Sequence, residues 1–375
     1  MSIEETLKPI HIALMCCGLR PPSDLKGTRN KLFALCITIF LILYSVIVIK
    51  NTDNSWQAHN RKILFFIHYV AQVLFYVNFV TSVLYSPKIK SCIAQMDELD
   101  LKLEKLGVVN QKSYNKTAKL INILVLIYLL YYLISDSILQ VIFYEDDFFV
   151  FALQTVAFTI NLVKTFYSAN ILVVLFRRYS SLSTYIKNFV SNKMKNTFPP
   201  QKLKLNECIS IYESFVRVSQ DILICFQLGL LFTLALDSLK LVNELYIVFR
   251  VDDIQIQDYI IVWNKIIFNA FNIALVVFPY YFTESKALEV IENSSLMLMN
   301  NNLVNADITG KYLHMQIVKL KFSILDFLPL DMSALVTLSG SIAAYTIITL
   351  QMITNSSRKV NRIESTRIRT EMNLK

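Results

Sequence analysis

The chain has 375 residues, of which 54% are hydrophobic, and its mean hydropathy is +0.47. This composition excludes an ordinary soluble domain and predicts an all-α, polytopic membrane protein. The formal charge of +9 does not indicate a nucleic-acid partner, because the basic residues are scattered between apolar runs and form no aromatic-studded basic surface.

The N-terminal segment, residues 1–31, carries five basic residues and no apolar core that is followed by a small-residue cleavage site. We therefore predict a cytosolic segment and no cleaved signal peptide. The six cysteines show no metal-ligand spacing and histidine is rare, so we expect no metal site and no other cofactor. All six fall in predicted cytosolic or membrane segments, where disulfides are not expected.

Seven apolar runs predict seven transmembrane helices, numbered here as spans one to seven. They cover 32–49, 63–85, 120–139, 148–176, 222–249, 259–282 and 332–354. Of the 37 Lys and Arg residues, 24 lie in the N-terminal segment and in the connections after spans two, four and six, whereas ten lie on the opposite side. Because cytosolic loops carry the excess of positive charge, we predict a cytosolic N-terminus and an extracellular C-terminus.

Two long connections on the predicted cytosolic side alternate apolar and basic positions. Residues 177–221 have helical periodicity that is broken at Pro199 and Pro200, and a second amphipathic helix is predicted over 311–325. We interpret the first as an extension of the six-helix bundle formed by 32–282, and the connection 283–331 as a cytosolic anchor. Solvated loops are equally compatible with this periodicity.

Polar side chains lie on common faces of several predicted spans, although ionisable groups are costly inside a membrane. The candidate ligand-binding residues are His68, Gln72, Tyr132, Asp136, Gln154, Asp237, Lys240, Glu244, Lys265 and Asn269. Each face reaches the outer half of its helix, which predicts a small-molecule cavity open to the outside. The alternative is that Asp237, Lys240, Glu244 and Lys265 neutralise one another in a dry bundle.

Lys164 is predicted to behave differently from these residues. It lies about 24 Å from the outer end of the fourth span at ~1.5 Å per residue, so we expect its ammonium group to extend to the cytosolic interface.

The seventh span, residues 332–354, has no charged side chain, and Asp331 is placed to cap its first turn. One helical face is small and hydroxylated along most of its length and ends in an amide. This hydroxyl face consists of Ser333, Thr337, Ser341, Ala344, Ile348 and Gln351, and Asn355 continues it just beyond the span. Such a face either packs closely against another helix or lines a hydrated path.

The end of this span resembles the terminal motif of the insect gustatory receptor family, which is Thr-Tyr, five mostly apolar residues and Gln-Phe. Tyr345 and Gln351 occupy the motif positions, while Ala344 and Met352 replace its Thr and Phe. Together with the seven-span layout, the resemblance covers essentially the whole chain.

The resemblance implies a ligand-gated cation channel in the plasma membrane, formed by four copies or together with other gustatory receptors. It also implies that the seventh helix lines the pore, with Gln351 and Met352 at the gate. The hydroxyl face then adds Ile348 to the narrow part of the pore and Ser341 to its wider, hydrated part. The expected ligand is a small-molecule tastant, either a sugar or a bitter compound, and lipid is the surrounding partner.

Other classes of membrane protein fit less well. Insect odorant receptors share the architecture and differ here only in the terminal motif, so they are the near alternative. A G-protein-coupled receptor is more distant, because the charge bias places the N-terminus inside and the seventh span lacks Asn-Pro-x-x-Tyr. A transporter with internal repeats and an intramembrane enzyme with a metal pair or nucleophile–base spacing are not supported.

Overall fold

The computed structural model describes residues 61–108, 148–192, 201–250, 256–300 and 306–351. It also describes isolated helical positions at residues 7, 10, 11, 123, 127, 128 and 131. Within these residues the chain is mostly helical and carries one small β-hairpin. The first predicted span and the tail 355–375 lie outside the described residues.

Six helices account for most of the described chain. They are α1 (Arg61–Lys105), α2 (Phe148–Asn192), α3 (Gln201–Arg250), α4 (Ile256–Asn300), α5 (Ala306–Ile317) and α6 (Met332–Gln351). The first four contain predicted spans two, four, five and six, and each has 45 or 50 residues. At ~1.5 Å per residue they are roughly 70 Å long, about twice the thickness of a hydrocarbon core.

These long helices continue beyond the apolar runs that were predicted to span the membrane. The predicted helical character of 177–221 is found up to Asn192 and again from Gln201. Among the described residues, three stretches are long and apolar enough to cross a membrane: Leu205–Phe249, Tyr259–Met299 and Met332–Gln351.

The long helices pack along one another around a shared core. Helix α2 packs against α4, α1 packs against α3, and α3 also contacts α4. Large aromatic side chains are fully buried where the helices extend past the spans, with Tyr179 and Tyr212 in edge-to-face contact at 6.0 Å. Arg178 of α2 forms a two-pronged ion pair with Asp100 of α1, and its Nε lies 2.7 Å from the carboxylate. Both contacts hold the extended parts of the bundle together.

The predicted helix over 311–325 is wrong in its position. Helix α5 begins and ends earlier, and the chain then forms an antiparallel hairpin of β1 (Ser323–Ile324) and β2 (Leu328–Pro329). The physical reason is that the spacing of buried residues changes after residue 317. Lys319 and Lys321 are exposed while Leu320 and Phe322 are buried, and this two-residue alternation is typical of an extended chain.

The hairpin closes with an uncommon backbone conformation. Leu325 and Asp326 have φ angles of 51° and 62°, and the Phe327 N–H donates to the Ile324 carbonyl oxygen over 3.2 Å. Two consecutive positive φ angles are characteristic of a type I′ turn. Just after the hairpin, Asp331 Oδ1 accepts the Ala334 N–H at 3.0 Å, which confirms the predicted cap of α6.

Candidate ligand-binding site and terminal helix

Helix α3 contributes a buried charged pair to the candidate ligand site. Asp237 and Lys240 are one turn apart, and the carboxylate Oδ1 lies 3.8 Å from the ammonium Nζ. Glu244 is buried two turns along the same helix. These three predicted residues therefore share a face that is turned into the protein, where charges need compensating partners.

Helix α4 supplies amides and aromatic rings. Asn269 and Asn272 are buried, while Lys265 is half-buried. Tyr128, from the predicted third span, stacks on Phe268 at 5.8 Å between ring centroids and contacts Phe271 at 4.5 Å. The structure thus brings an aromatic group to the same part of α4 that carries the predicted amides.

Tyr128 also connects the two halves of this site. Its hydroxyl group lies within electrostatic range of the Asp237 carboxylate. Three buried polar atoms here have no hydrogen-bond partner among the described residues: Asp237 Oδ2, the Tyr128 hydroxyl and Asn272 Oδ1. A buried unsatisfied polar atom costs about 1–3 kcal/mol. Two acceptors and a hydroxyl beside aromatic rings suit a small ligand that can donate hydrogen bonds.

The remaining predicted ligand residues are not brought into this cluster by the described side chains. His68 and Gln72 lie on α1 and Gln154 lies on α2, but their side chains are outside the described part of the structure. Tyr132 and Asp136 are outside the described residues altogether. Phe268 and Phe271 were not among the predicted residues, because a search for polar faces does not detect apolar ligand contacts.

The prediction that Lys164 extends to the cytosolic interface is wrong. Its side chain is 5% exposed, and its Nζ donates to the Asn78 carbonyl oxygen at 2.9 Å and to the Thr81 hydroxyl. Asn78 Nδ2 in turn donates to Asn161 Oδ1 at 2.6 Å. Lys164 therefore joins α2 to α1 inside the bundle. The neutral oxygens beside it stabilise the ammonium group, so the side chain need not extend to the cytosolic interface.

Close helix packing surrounds this lysine. A Cβ atom at Gly229 of α3 would lie 2.4 Å from Asn78 Oδ1 and 3.8 Å from Lys164 Nζ. Only a glycine allows the backbone of α3 to approach the polar side chains of α1 and α2 so closely. The cluster of Lys164, Asn78, Asn161 and Gly229, called here the lysine cluster, is thus a three-helix contact.

Among the described residues, helix α6 packs against the rest of the chain along one face. The attached face consists of Ala334, Leu335, Leu338, Ile342 and Thr346. Only 11% of the residues in its most apolar stretch are buried. The other faces of the helix are exposed.

The hydroxyl face is among the exposed parts of α6. Ser341, Ile348 and Gln351 are all exposed, as is Tyr345 of the terminal motif, and Met352 lies outside the described residues. The hydroxyl face therefore does not pack against the described helices of its own chain. Of the two predicted roles, packing within the chain is not observed among the described residues, and a contact with other chains or a hydrated path remains.

Comparison with known proteins identifies the family. The model of a family described as 7tm Chemosensory receptor matches residues 7–355. No curated protein sequence matches the chain. A structure of the insect olfactory receptor OR5 from Machilis hrabei is similar, with a TM-score of 0.69 and 12% identity over 93% of this chain and 98% of the receptor.

A second structure of that olfactory receptor, in complex with eugenol, has a TM-score of 0.68 and 11% identity over the same shares of the two chains. At such low identity the likeness shows the fold alone, and that fold is the all-α, multi-span arrangement predicted from the sequence. The family match covers most of the chain and includes the terminal helix. The chain belongs to the seven-transmembrane chemosensory receptor family.

Proposed function

We propose that the chain is a gustatory receptor that acts as a ligand-gated, non-selective cation channel in the plasma membrane. The observation that carries this proposal is the exposure of α6, whose hydroxyl face is directed away from its own bundle. A face of this composition suits a shared pore, because its hydroxyl groups form hydrogen bonds to water and the water keeps passing ions hydrated. A tetramer of this chain, or of this chain with other gustatory receptors, supplies the remaining sides.

The proposed pore narrows toward the outer end of α6. With the N-terminus in the cytosol, Ile348, Gln351 and Met352 lie near the extracellular end, and Ser341 lies deeper. A ring of apolar side chains at the narrow part stops ions by dewetting. The span has no acidic residue, so we expect weak selectivity among monovalent cations.

The proposed ligand is a small-molecule tastant that binds between α3 and α4. Asp237 Oδ2 and Asn272 Oδ1, which have no partner among the described residues, and the aromatic ring of Tyr128 support this site. A polyhydroxylated compound such as a sugar fits the acceptors, and a flat bitter compound fits the rings. The olfactory receptor of the same fold has been seen in complex with eugenol, which supports a small molecule as the class of ligand.

The proposed layout assigns a role to each part of the chain. Residues 1–31 are cytosolic, 32–282 form the ligand-binding bundle with the extension 177–221, and 283–331 form the cytosolic anchor. The pore helix covers 332–354, and 355–375 form an extracellular basic tail.

An odorant receptor channel is the second candidate, because the similar solved structure is that of an olfactory receptor. The terminal motif at Tyr345 and Gln351 favours the gustatory family. Currents recorded from cells expressing the chain, across sugars, plant alkaloids and volatile odorants, separate the two.

Cysteine scanning tests the pore helix directly. Ile348→Cys and Gln351→Cys should become modified by a small water-soluble thiol reagent when the most active compound of that panel is applied, and the current should change. Ile347→Cys is the matched control. Ile347 and Ile348 are 54% and 49% exposed in the single chain, but they lie on different faces of α6.

We expect no change of current at the control position. If Ile348→Cys and Gln351→Cys are both inert, α6 does not line the pore. Equal modification at all three positions would reject the assignment of the hydroxyl face.

A further inference from the structure

The backbone of Phe322, the residue just before β1, connects α4 to the start of α6. The Phe322 N–H donates to the Glu284 carboxylate of α4, with 3.1 Å between nitrogen and Oε2. The Phe322 carbonyl oxygen accepts the Leu330 N–H at 2.9 Å. Leu330 is followed directly by Asp331, the cap of α6. The N–H of Phe322 is therefore bound to α4, and its carbonyl oxygen is bound to the segment that leads into α6.

Apolar packing fixes the same connection. The rings of Tyr280 and Phe322 meet edge to face, with 5.0 Å between centroids and an angle of 86°. Tyr280 lies one turn before Glu284 on α4, and Phe322, Ile324 and Leu330 are all buried. A buried aromatic contact and a hydrogen bond to a carboxylate resist separation together more strongly than either does alone.

The carboxylate that makes this contact lies close to the cap of α6. Burial raises the pKa of Glu284, the hydrogen bond from the Phe322 N–H lowers that pKa, and the negative charge of Asp331 raises it. This influence of Asp331 shows that Glu284 is within electrostatic range of the first turn of α6. The lower part of α4 thus contacts Phe322 and lies within electrostatic range of the residue that caps the terminal helix.

Helix α4 extends from this contact up to the candidate ligand site. Asn272 lies 12 residues before Glu284, about 18 Å along the helix axis. Pro279 lies between them, and a proline inside a helix removes one backbone hydrogen bond and allows the two halves to bend. Just below it, the Thr283 hydroxyl donates to the Pro279 carbonyl oxygen at 2.6 Å and is buried against α2.

We propose that Glu284 and Tyr280 are positioning residues that couple the lower half of α4 to α6 through Phe322. Neither residue touches ligand in this scheme. A shift of α4 changes the position of Phe322, and the Leu330 hydrogen bond passes that shift to the capped first turn of α6. The consequence for ion flow depends on the proposed channel function, whereas the mechanical connection does not.

The test compares Glu284→Ala with Glu284→Gln in the full-length chain. Alanine removes the acceptor of the Phe322 N–H, while the glutamine amide oxygen can still accept it. Glu292→Ala is the control, because Glu292 is an exposed carboxylate on the same helix. The first measurement is the ratio of evoked to basal current per surface channel, using the most active compound of a panel of sugars and plant alkaloids.

We expect Glu284→Ala to lower this ratio at least about fivefold, because α6 no longer follows α4. The concentration of compound that gives half the remaining effect should change less than about threefold, because the ligand site is distant. Glu284→Gln and Glu292→Ala should stay within about twofold of the wild type. Equal ratios for Glu284→Ala and Glu292→Ala would overturn the proposal.

A second measurement needs no current. Ala334 is buried on the attached face of α6, so Ala334→Cys reports whether the first turn separates from the bundle. Labelling of this cysteine by a maleimide in purified protein should become at least about fivefold faster with Glu284→Ala and not with Glu284→Gln. Unchanged labelling would reject the connection. If the wild-type chain conducts no current but Glu284→Ala still accelerates the labelling of Ala334→Cys, the channel is rejected and the connection is retained.

Discussion

Only one of the two carboxylate oxygens of Asp237 has a partner within the described residues. Its Oδ1 faces Lys240 at 3.8 Å, while its Oδ2 is buried without a partner there. A single cation beside Oδ1 does not fully compensate for the burial of the carboxylate, because the second oxygen still loses its hydrogen bonds to water. A ligand hydroxyl or amine at Oδ2 would restore what burial removes.

Asp237→Asn should therefore weaken activation. The amide keeps the volume of the side chain but removes the charge, and hydrogen bonds to charged acceptors are about twice as strong as those to neutral ones. We expect the half-maximal concentration of the most active tastant to rise at least about tenfold, equivalent to ~1.4 kcal/mol, with surface expression retained. The measurement is a dose–response curve of the current.

Glu104→Ala is the matched control, because Glu104 is an exposed acidic residue on α1. Its dose–response curve should coincide with that of the wild type. Equal and small shifts for the two variants would favour Asp237 as a structural partner of Lys240 over a ligand contact.

The lysine cluster shows how a single small residue sets the spacing of three helices. Gly229 has no side chain, so Asn78 can sit against the backbone of α3 and donate to Asn161. The Cβ atom of an alanine there would lie 2.4 Å from Asn78 Oδ1, which is closer than the non-bonded contacts that Cβ atoms make. The amide would have to move, and its interhelical hydrogen bond would break.

Gly229→Ala should lower the thermal stability of the purified protein in detergent, by about 1–3 kcal/mol of unfolding free energy. Gly310→Ala on α5 is the control, since a Cβ there meets no atom within 4 Å and alanine favours a helix. We expect it to be neutral or stabilising. A Gly229→Ala protein as stable as the wild type would mean that the helices can separate at this point without loss.

At the level of elements, features that depend on neighbouring residues were predicted well, whereas contacts between residues far apart in the chain were not. The cap at Asp331 depends on three neighbouring residues and is confirmed by its hydrogen bond to the Ala334 N–H. The end of α5 was predicted too late in the chain, because the spacing of apolar and basic residues around residue 317 fits both a helix and an extended chain. The partners of Lys164 lie 83 and 86 residues away, so no pattern near Lys164 contains them.

The candidate site was predictable only in part for a similar reason. The polar face of α3 follows from its spacing, and Asp237 and Lys240 do pair. The aromatic contacts of Tyr128 with Phe268 and Phe271 join residues more than 130 positions apart, and apolar residues give no signal in a membrane sequence that is apolar throughout.

The orientation of the whole molecule remains a prediction from its charge distribution. Epitope tags at both ends, stained in intact and permeabilised cells, should show an N-terminal tag only after permeabilisation and a C-terminal tag in both conditions. The reason is the excess of basic residues in the N-terminal segment and in three connections, which favours the cytosol.

The same cells provide a control, because a tag on a known cytosolic protein must stain only after permeabilisation. A C-terminal tag that stains only after permeabilisation would contradict seven spans with a cytosolic N-terminus and require an even number of crossings.

The small attached face of α6 has a consequence for how assembly of the protein depends on its amount in the membrane. Helices α1 to α4 bury their surfaces against one another within one chain, so their packing is independent of the number of chains present. Most of α6 finds no such partner in the described chain. If its exposed faces pack against other copies, the stability of that packing follows mass action and rises with the density of chains in the membrane. A cell that makes too few copies would then hold folded bundles whose terminal helices are unassembled, and its response would fall more steeply than its receptor count.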